Sequence, residues 1–170
     1  PGYFNTIGIP VILGRDYTWE DLYQRLPVAI VSEKIARELW GGPQQAMGKE
    51  IRVSSKDDWR RIVGVVGDVH DQGMNKDAQP AAWWPLLMNN FESDKINVRR
   101  WVVFAIRTPR AGSESFVNDV RRAIWSVDAN LPLSDIRTEA FLYDRSMART
   151  SFTLVMLALA AGLALTLGVV

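Results

Sequence analysis

The glycine–lysine turn Gly48-Lys49, which follows Gly42, is the first candidate for phosphate chemistry. A phosphate-binding loop needs four residues between its glycines, a Ser or Thr after the lysine, and a strand leading into a helix. Here five residues separate the glycines, Glu50 replaces the hydroxyl, and the turn lies between a predicted helix and a predicted strand. We therefore interpret it as a turn that fixes the next strand, and we predict no nucleotide site.

Other residues with chemical potential also lack the spacing of a site. Gly64-Val65-Val66-Gly67-Asp68 lies in a predicted strand, without the third glycine and helix of a dinucleotide fingerprint. Glycine in a strand more often marks a bulge or a close backbone approach. The single histidine, His70, has no second ligand beside it, so we predict a surface residue after a strand. The pairs Glu20-Asp21 and Asp57-Asp58 are expected to be solvated carboxylates. The sequence thus predicts no catalytic, cofactor-binding or metal-binding residue and no enzyme.

The composition is close to neutral. Twenty basic and nineteen acidic residues give a net charge of +1, and the basic residues occur as isolated pairs. A nucleic-acid-binding protein normally carries a basic stripe, so this class is excluded. The absence of cysteine excludes disulfides and thiolate zinc sites. Seven tryptophans, spread along the chain, are expected to serve as core and interface anchors.

The elements of the first hundred residues follow from short patterns. Thr18 begins a segment suited to a helix start, and residues 27–31 form a β-branched run typical of a buried strand. Ser32 is a favourable N-cap for a helix that Gly41-Gly42-Pro43 ends. Residues 51–53 and 59–69 predict a β-hairpin. Residues 85–88 suggest a further strand or edge segment, and the polar residues 89–100 suggest a loop.

The remaining residues predict a strand–helix–strand unit and a long helix. Residues 101–108 form a strand, Ser113 caps a helix with one apolar face, and residues 133–137 return as a strand. Thr138-Glu139 caps a helix over residues 140–148. That helix leads directly into residues 152–170, which contain no charged residue, no amide and no proline.

The uncharged run matches a membrane in length. As a helix, residues 152–170 would extend about 28 Å, close to the roughly 30 Å of a bilayer's hydrocarbon core. We predict a transmembrane helix over residues 151–170, truncated by the end of the sequence; the alternative is a buried core helix. We also expect the sequence to be a fragment of a longer chain, since it starts without methionine.

Five phrases follow one another in a recognisable order along the chain. They are GIPVILGRDYTWED (8–21), VAIVSEKIARELWGG (28–42), AMGKEI (46–51), IVGVVGDVHDQGM (62–74) and the sequence from DANLPLSDIRTEAFLYDR (128–145) to the C-terminus. Together they resemble the periplasmic core domain, and the transmembrane helix after it, of the MacB-like and FtsX-like ABC transporter permeases. Ser32 replaces the family's usual Asn, Ala46 replaces its usual Pro, and residues 89–100 match poorly.

The resemblance implies an α+β fold made of a split strand–helix–strand sheet domain with an inserted mixed α/β subdomain, followed by a transmembrane helix. Residues 1–10 and 100–138 would be the split, porter-like part and residues 11–99 the insert. Residues 139–150 would be the connecting helix, and residues 151–170 the span.

The resemblance further implies a permease that couples ATP hydrolysis in the cytoplasm to export or extraction at the outer face of the membrane. The implied partners are a cytoplasmic ATPase subunit or domain, a second permease copy, a periplasmic adaptor and the lipid bilayer. The soluble part would lie on the periplasmic or extracellular side of the inner membrane. No cofactor is implied.

One feature favours the opposite orientation. Arg145 and Arg149 flank the N-terminal side of the span, which the positive-inside rule would assign to the cytoplasm. The rule needs both flanks, and we keep the periplasmic assignment. The alternative function is a membrane-anchored sensor or ligand-binding domain whose span relays a signal.

Overall fold

The computed structural model describes residues 1–70, 76–85, 87, 89–90, 93–96 and 102–168. They form two compact units, Pro1–Arg107 and Thr108–Val170. The first unit contains α1 (Tyr3–Ile7), β1 (Val11–Gly14), α2 (Trp19–Tyr23), β2 (Val28–Ser32), α3 (Glu33–Trp40), α4 (Pro43–Ala46), β3 (Glu50–Ile51), β4 (Arg60–Val66), β5 (Ala82–Trp83), β6 (Asn89–Asn90) and β7 (Ser93–Ile96). The second contains α5 (Glu114–Trp125) and α6 (Glu139–Gly168).

Strand β4 organises a mixed sheet in the first unit. β2 runs parallel to β4, and β5 pairs antiparallel with β2. β1 and β3 both pair antiparallel with β4. The predicted hairpin is confirmed, because Glu50 pairs with Arg61 and Ile51 pairs with Arg60. The mixed α/β class expected from the sequence is confirmed for this unit.

The core lies on both faces of the sheet. Every residue of β2 is buried, as the β-branched run predicts. Neighbouring strand residues point to opposite faces. Val31 accordingly packs with the helical residues Ala36 and Ala46, whereas Ile30 packs with Phe4 of α1. Helices α3 and α4 therefore cover one face, and α1 covers the other.

The predicted caps are confirmed by hydrogen bonds. The Ser32 hydroxyl accepts from the backbone N–H of Ile35 at 3.3 Å, and α3 ends at Gly41 with φ 85°. The Ser113 hydroxyl accepts from Phe116 N–H at 3.4 Å at the start of α5. These local signals succeed because a cap depends on residues only a few positions apart.

Four segments differ in strand assignment from the sequence expectation. Residues 89–90 and 93–96 pair as an antiparallel hairpin instead of a loop, because backbone pairing does not require apolar side chains. Residues 102–108 and 133–137, predicted as strands, are in no strand. A strand needs a hydrogen-bonding neighbour, and in the described residues neither segment has one. The strand at residues 85–88 is also not formed at the described positions, since β5 ends at Trp83.

The second unit consists mainly of two helices. α5 has no buried residue, and its predicted apolar face, including Phe116, Val120 and Ile124, is half-buried. α6 starts after Thr138, whose hydroxyl accepts from Phe141 N–H at 3.2 Å, and continues through Gly168. The predicted connecting helix and the residues after it are therefore one continuous helix over the described residues.

Within the described part of the chain, no helix is both long enough and apolar enough to cross a membrane.

Candidate functional site

The residues tested for chemistry in the sequence have structural roles. Gly48 adopts φ 75° and its N–H donates to Ile62 O at 3.0 Å, while Lys49 O accepts from Ile62 N–H at 2.8 Å. The turn thus positions β3 beside β4, as predicted. His70 is exposed after β4, and its Nδ1 lies 2.7 Å from Lys76 O. Over the described residues, no group of three His, Cys, Asp or Glu side chains could hold a metal ion.

Several close contacts fix the segment from the last residue of β1 to the end of α2. We call this segment, residues 14–23, the β1–α2 anchor. Gly14 pairs with Gly64 across the β1/β4 ladder. A Cβ atom on Gly64 would lie 2.3 Å from Arg15 O, and one on Gly14 would lie 2.3 Å from Val63 O. The expected close backbone approach at Gly64 is confirmed. The backbones beside β4 can approach this closely here only because both residues lack a side chain.

A bidentate ion pair holds the start of α2. Arg15 Nη1 lies 2.5 Å from Asp21 Oδ2, and Arg15 Nη2 lies 3.0 Å from Asp21 Oδ1. Asp21 also accepts from Thr18 N–H at 2.8 Å, and Thr18 Oγ1 accepts from Asp21 N–H at 3.1 Å, which completes a capping box. Asp21 is only 1% exposed. The expectation of a solvated carboxylate is therefore wrong at Asp21, because a paired guanidinium and backbone donors replace its water.

Asp21 makes the domain sensitive to acid. Its hydrogen bonds with Arg15 lower the pKa of Asp21 from 3.8 to about 2. A lowered folded-state pKa adds stability above the unfolded value, and that stability is lost as the pH falls from about 4 towards about 2. The shift corresponds to about 2 kcal/mol.

We expect Asp21→Asn to lower the free energy of unfolding at pH 7 and to flatten its pH dependence between pH 4 and pH 2. Urea titrations at several pH values, followed by tryptophan fluorescence, would measure both effects. Asp128→Asn, at an exposed position of the second unit, is the control and should leave the profile unchanged. An Asp21→Asn profile as steep as that of the wild type would contradict the assigned role of the ion pair.

Tyr17 attaches the same segment to β2 and β5, the two strands on the other side of β4 from β1. Its hydroxyl donates to Trp83 O at 2.5 Å and accepts from Ile30 N–H at 3.0 Å, so it bridges β2 and β5. Burial raises the pKa of Tyr17 above its usual range. The hydroxyl therefore stays protonated and able to donate. The sequence offered no signal for this contact, since Tyr17 and Trp83 are far apart along the chain.

A second polar cluster surrounds the start of α3. Asp68 Oδ1 accepts from Lys34 N–H at 2.7 Å, and Asp68 Oδ2 accepts from Arg37 Nη2 at 2.8 Å. Arg37 Nη1 also lies 3.0 Å from Glu33 Oε2. A carboxylate at a helix N-terminus is favourable because it accepts from free N–H groups and opposes the helix dipole. Asp68 therefore links the end of β4 to α3. This structural role accounts for Asp68 after Gly67, and no bound ligand is needed to explain it.

Asp57 is the second carboxylate that departs from expectation. It is 7% exposed and accepts from Ser54 N–H at 2.9 Å through Oδ2. Its Oδ1 atom has no hydrogen-bond partner in the structure as described. The tight turn over residues 54–57 buries this carboxylate, which a turn sequence alone does not indicate.

Taken together, these contacts bind loops rigidly to one sheet and bring together no nucleophile and base.

The family comparison identifies the class. The family model described as the MacB-like periplasmic core domain matches residues 1–123. The chain belongs to this family. The match confirms the resemblance for the four phrases within residues 8–74, and the fifth phrase, which starts at residue 128, lies outside the matched residues.

Two solved structures are similar to the chain. The periplasmic region of MacB from Actinobacillus actinomycetemcomitans has 25% sequence identity and a TM-score of 0.36, and the match covers 39% of this chain and 30% of that one. A permease-protein domain from Porphyromonas gingivalis has 19% identity and a TM-score of 0.46, with 84% of this chain and 68% of that one covered. The match thus spans less than a third of the MacB periplasmic region. No curated protein matches the sequence.

Proposed function

We propose that this chain is the extracytoplasmic domain of an ABC transporter permease that couples cytoplasmic ATP hydrolysis to export or extraction of a substrate at the outer face of the membrane. The observation that carries the proposal is the family match over residues 1–123. The chain itself would not hydrolyse nucleotide. Its partners would be a cytoplasmic ATPase subunit or domain, a second permease copy and a periplasmic adaptor.

The positions of the described strands support only the insert of the proposed division, because residues 102–108 and 133–137 of the split strand–helix–strand subdomain form no strand. Every described strand lies between Val11 and Ile96, within the proposed insert of residues 11–99. Residues 1–10 and 100–138 would form the split subdomain, with α5 as its helix. The rigid sheet of the insert suits a body that moves as a unit, because its loops are tied by buried hydrogen bonds such as those of Tyr17.

The proposed membrane connection depends on α6. Residues 139–150 would be the connecting helix, and residues 151–170 would be the transmembrane helix in the cell inner membrane. The supporting observation is chemical: residues 152–170 carry no charged side chain, and a spanning helix satisfies all its backbone groups internally. A continuous helix between the domain and the bilayer would carry motion that a flexible linker would absorb.

Cysteine labelling tests the orientation, because these 170 residues contain no cysteine and any cysteine elsewhere in the full-length protein can be replaced by serine. Leu39→Cys, at a position 61% exposed, and Val127→Cys, at a position 86% exposed, should react in intact spheroplasts with a maleimide that cannot cross membranes. The experiment would use the full-length protein, and labelling of each cysteine would be measured as a mass shift on a gel.

Ala29→Cys is the matched control, because that position is 0% exposed and should remain unlabelled until the protein is denatured. Labelling of Leu39→Cys and Val127→Cys only after the spheroplasts are lysed would contradict an extracytoplasmic domain. If both positions are labelled outside but no ATPase associates with the protein, the alternative of a membrane-anchored sensor is favoured.

A further inference from the structure

Helix α2 presents two large aromatic rings to water. Trp19 is 61% exposed and Tyr23 is 70% exposed, although Asp21 of the same short helix is buried. Their ring centroids lie 5.9 Å apart with an interplanar angle of 21°, so they stack on each other as an i, i+4 pair. We call this pair the aromatic ledge. Exposed tryptophan and tyrosine are the residues most enriched at protein interfaces.

The helix that carries the aromatic ledge is held in place by polar contacts. The residue between its two rings that faces inward, Asp21, is buried and paired with Arg15, and Thr18 caps the helix. The two rings are therefore already ordered before any partner arrives. Binding to preordered rings loses less conformational entropy than binding to mobile side chains, which favours a partner contact at this place.

The charges around the aromatic ledge favour a cation. Glu20, the residue after Trp19 in the same helix, is exposed, and its Oε1 accepts from Gln24 Nε2 at 3.0 Å. The Arg15 guanidinium is engaged by Asp21. The helix thus combines two exposed electron-rich rings with an exposed carboxylate that keeps lone pairs for a further donor, a composition that attracts a guanidinium or an ammonium group.

Other aromatic rings of this protein have an arginine guanidinium over one face. Arg52 lies over the Trp59 ring at 4.3 Å, and Arg110 lies over the Phe116 ring at 5.4 Å. Among the described residues, no arginine or lysine lies over Trp19 or Tyr23 in this way. The aromatic ledge therefore has the composition of a cation–π site without the cation.

We propose that the aromatic ledge is a docking surface for an arginine-bearing segment of a partner polypeptide, whose guanidinium stacks on Trp19 or Tyr23 and pairs with Glu20. This inference does not depend on the proposed transport function, because it rests on the exposure, stacking and charge of one helix.

Calorimetric titration of the full-length protein in detergent would test the proposal. The probe is a capped Gly-Arg-Gly-Arg-Gly peptide, and the matched probe replaces both arginines with citrulline, which keeps the shape but removes the charge. We expect the arginine peptide to bind at least about tenfold more tightly than the citrulline peptide. The double variant Trp19→Ala/Tyr23→Ala should lose the difference, and Glu20→Gln should reduce it.

Leu39→Ala is the control variant, since it removes an equally exposed apolar side chain from another helix and should leave binding unchanged. Equal binding of the arginine and citrulline peptides would overturn the proposal. So would arginine-peptide binding that survives in the double variant. Binding of a neutral oligosaccharide such as cellotetraose that competes with the arginine peptide, and is lost in the double variant, would assign the aromatic ledge to a glycan and likewise overturn it.

Discussion

Gly64→Ala is expected to destabilise the first unit by about 3 kcal/mol or more, a large part of the stability of an ordinary domain. The added Cβ would lie 2.3 Å from Arg15 O, closer than atoms in proteins approach one another. The clashing atom belongs to the backbone, so relief requires the β1–α2 anchor to move away from β4. That movement would also strain the Arg15–Asp21 ion pair. Urea unfolding followed by tryptophan fluorescence would measure the loss.

Two glycines provide graded controls for this substitution. Gly48 has φ 75° but no heavy atom within 4 Å of its added Cβ, so Gly48→Ala measures backbone strain alone, about 1 kcal/mol. The Cβ added at Gly67 would lie 3.2 Å from Pro10, an intermediate contact. We expect the loss to be largest for Gly64→Ala. If Gly64→Ala costs no more than Gly48→Ala, the backbone at Arg15 does not approach Gly64 closely enough to exclude a side chain.

Insertion of two glycines near Tyr143 in α6 is expected to abolish most transport by the complete protein while its extracytoplasmic domain stays folded. Glycine inside a helix costs about 1 kcal/mol relative to alanine, which softens a connector but does not unfold a domain. The proposed coupling needs this connector to be stiff. Transport in reconstituted vesicles, together with circular dichroism of the purified protein, would measure both effects.

Insertion of two alanines at the same place is the matched control. It keeps the helix stiff but rotates whatever follows by roughly 200°, given about 3.6 residues per turn. Transport that survives the glycines and fails with the alanines would show that orientation, and not stiffness, is what α6 supplies. Transport that survives both insertions would make α6 a simple tether and would contradict the coupling mechanism.

The local features of this protein follow directly from its sequence. The caps at Thr18, Ser32, Ser113 and Thr138 are all formed, and the β-branched run of β2 is buried throughout. Each depends on residues within about one helical turn or one strand, so the relevant interactions are readable from neighbouring positions. The resemblance to the family could also be found from the sequence, because the order of the phrases along the chain is a property of the sequence itself.

The three-dimensional arrangement decided the rest. Asp21 and Asp57 belong to acidic pairs that were predicted to be solvated, yet both are buried. Asp21 pairs with Arg15 and accepts from Thr18 N–H, and Asp57 accepts from Ser54 N–H within its turn, pairings that the residue types alone do not reveal. Tyr17 and Trp83 meet only after β2 and β5 pair. Residues 102–108 have an apolar strand-like pattern but form no strand, since a β-strand exists only when a neighbour accepts its backbone hydrogen bonds. Composition near one residue cannot specify a partner that lies many residues away.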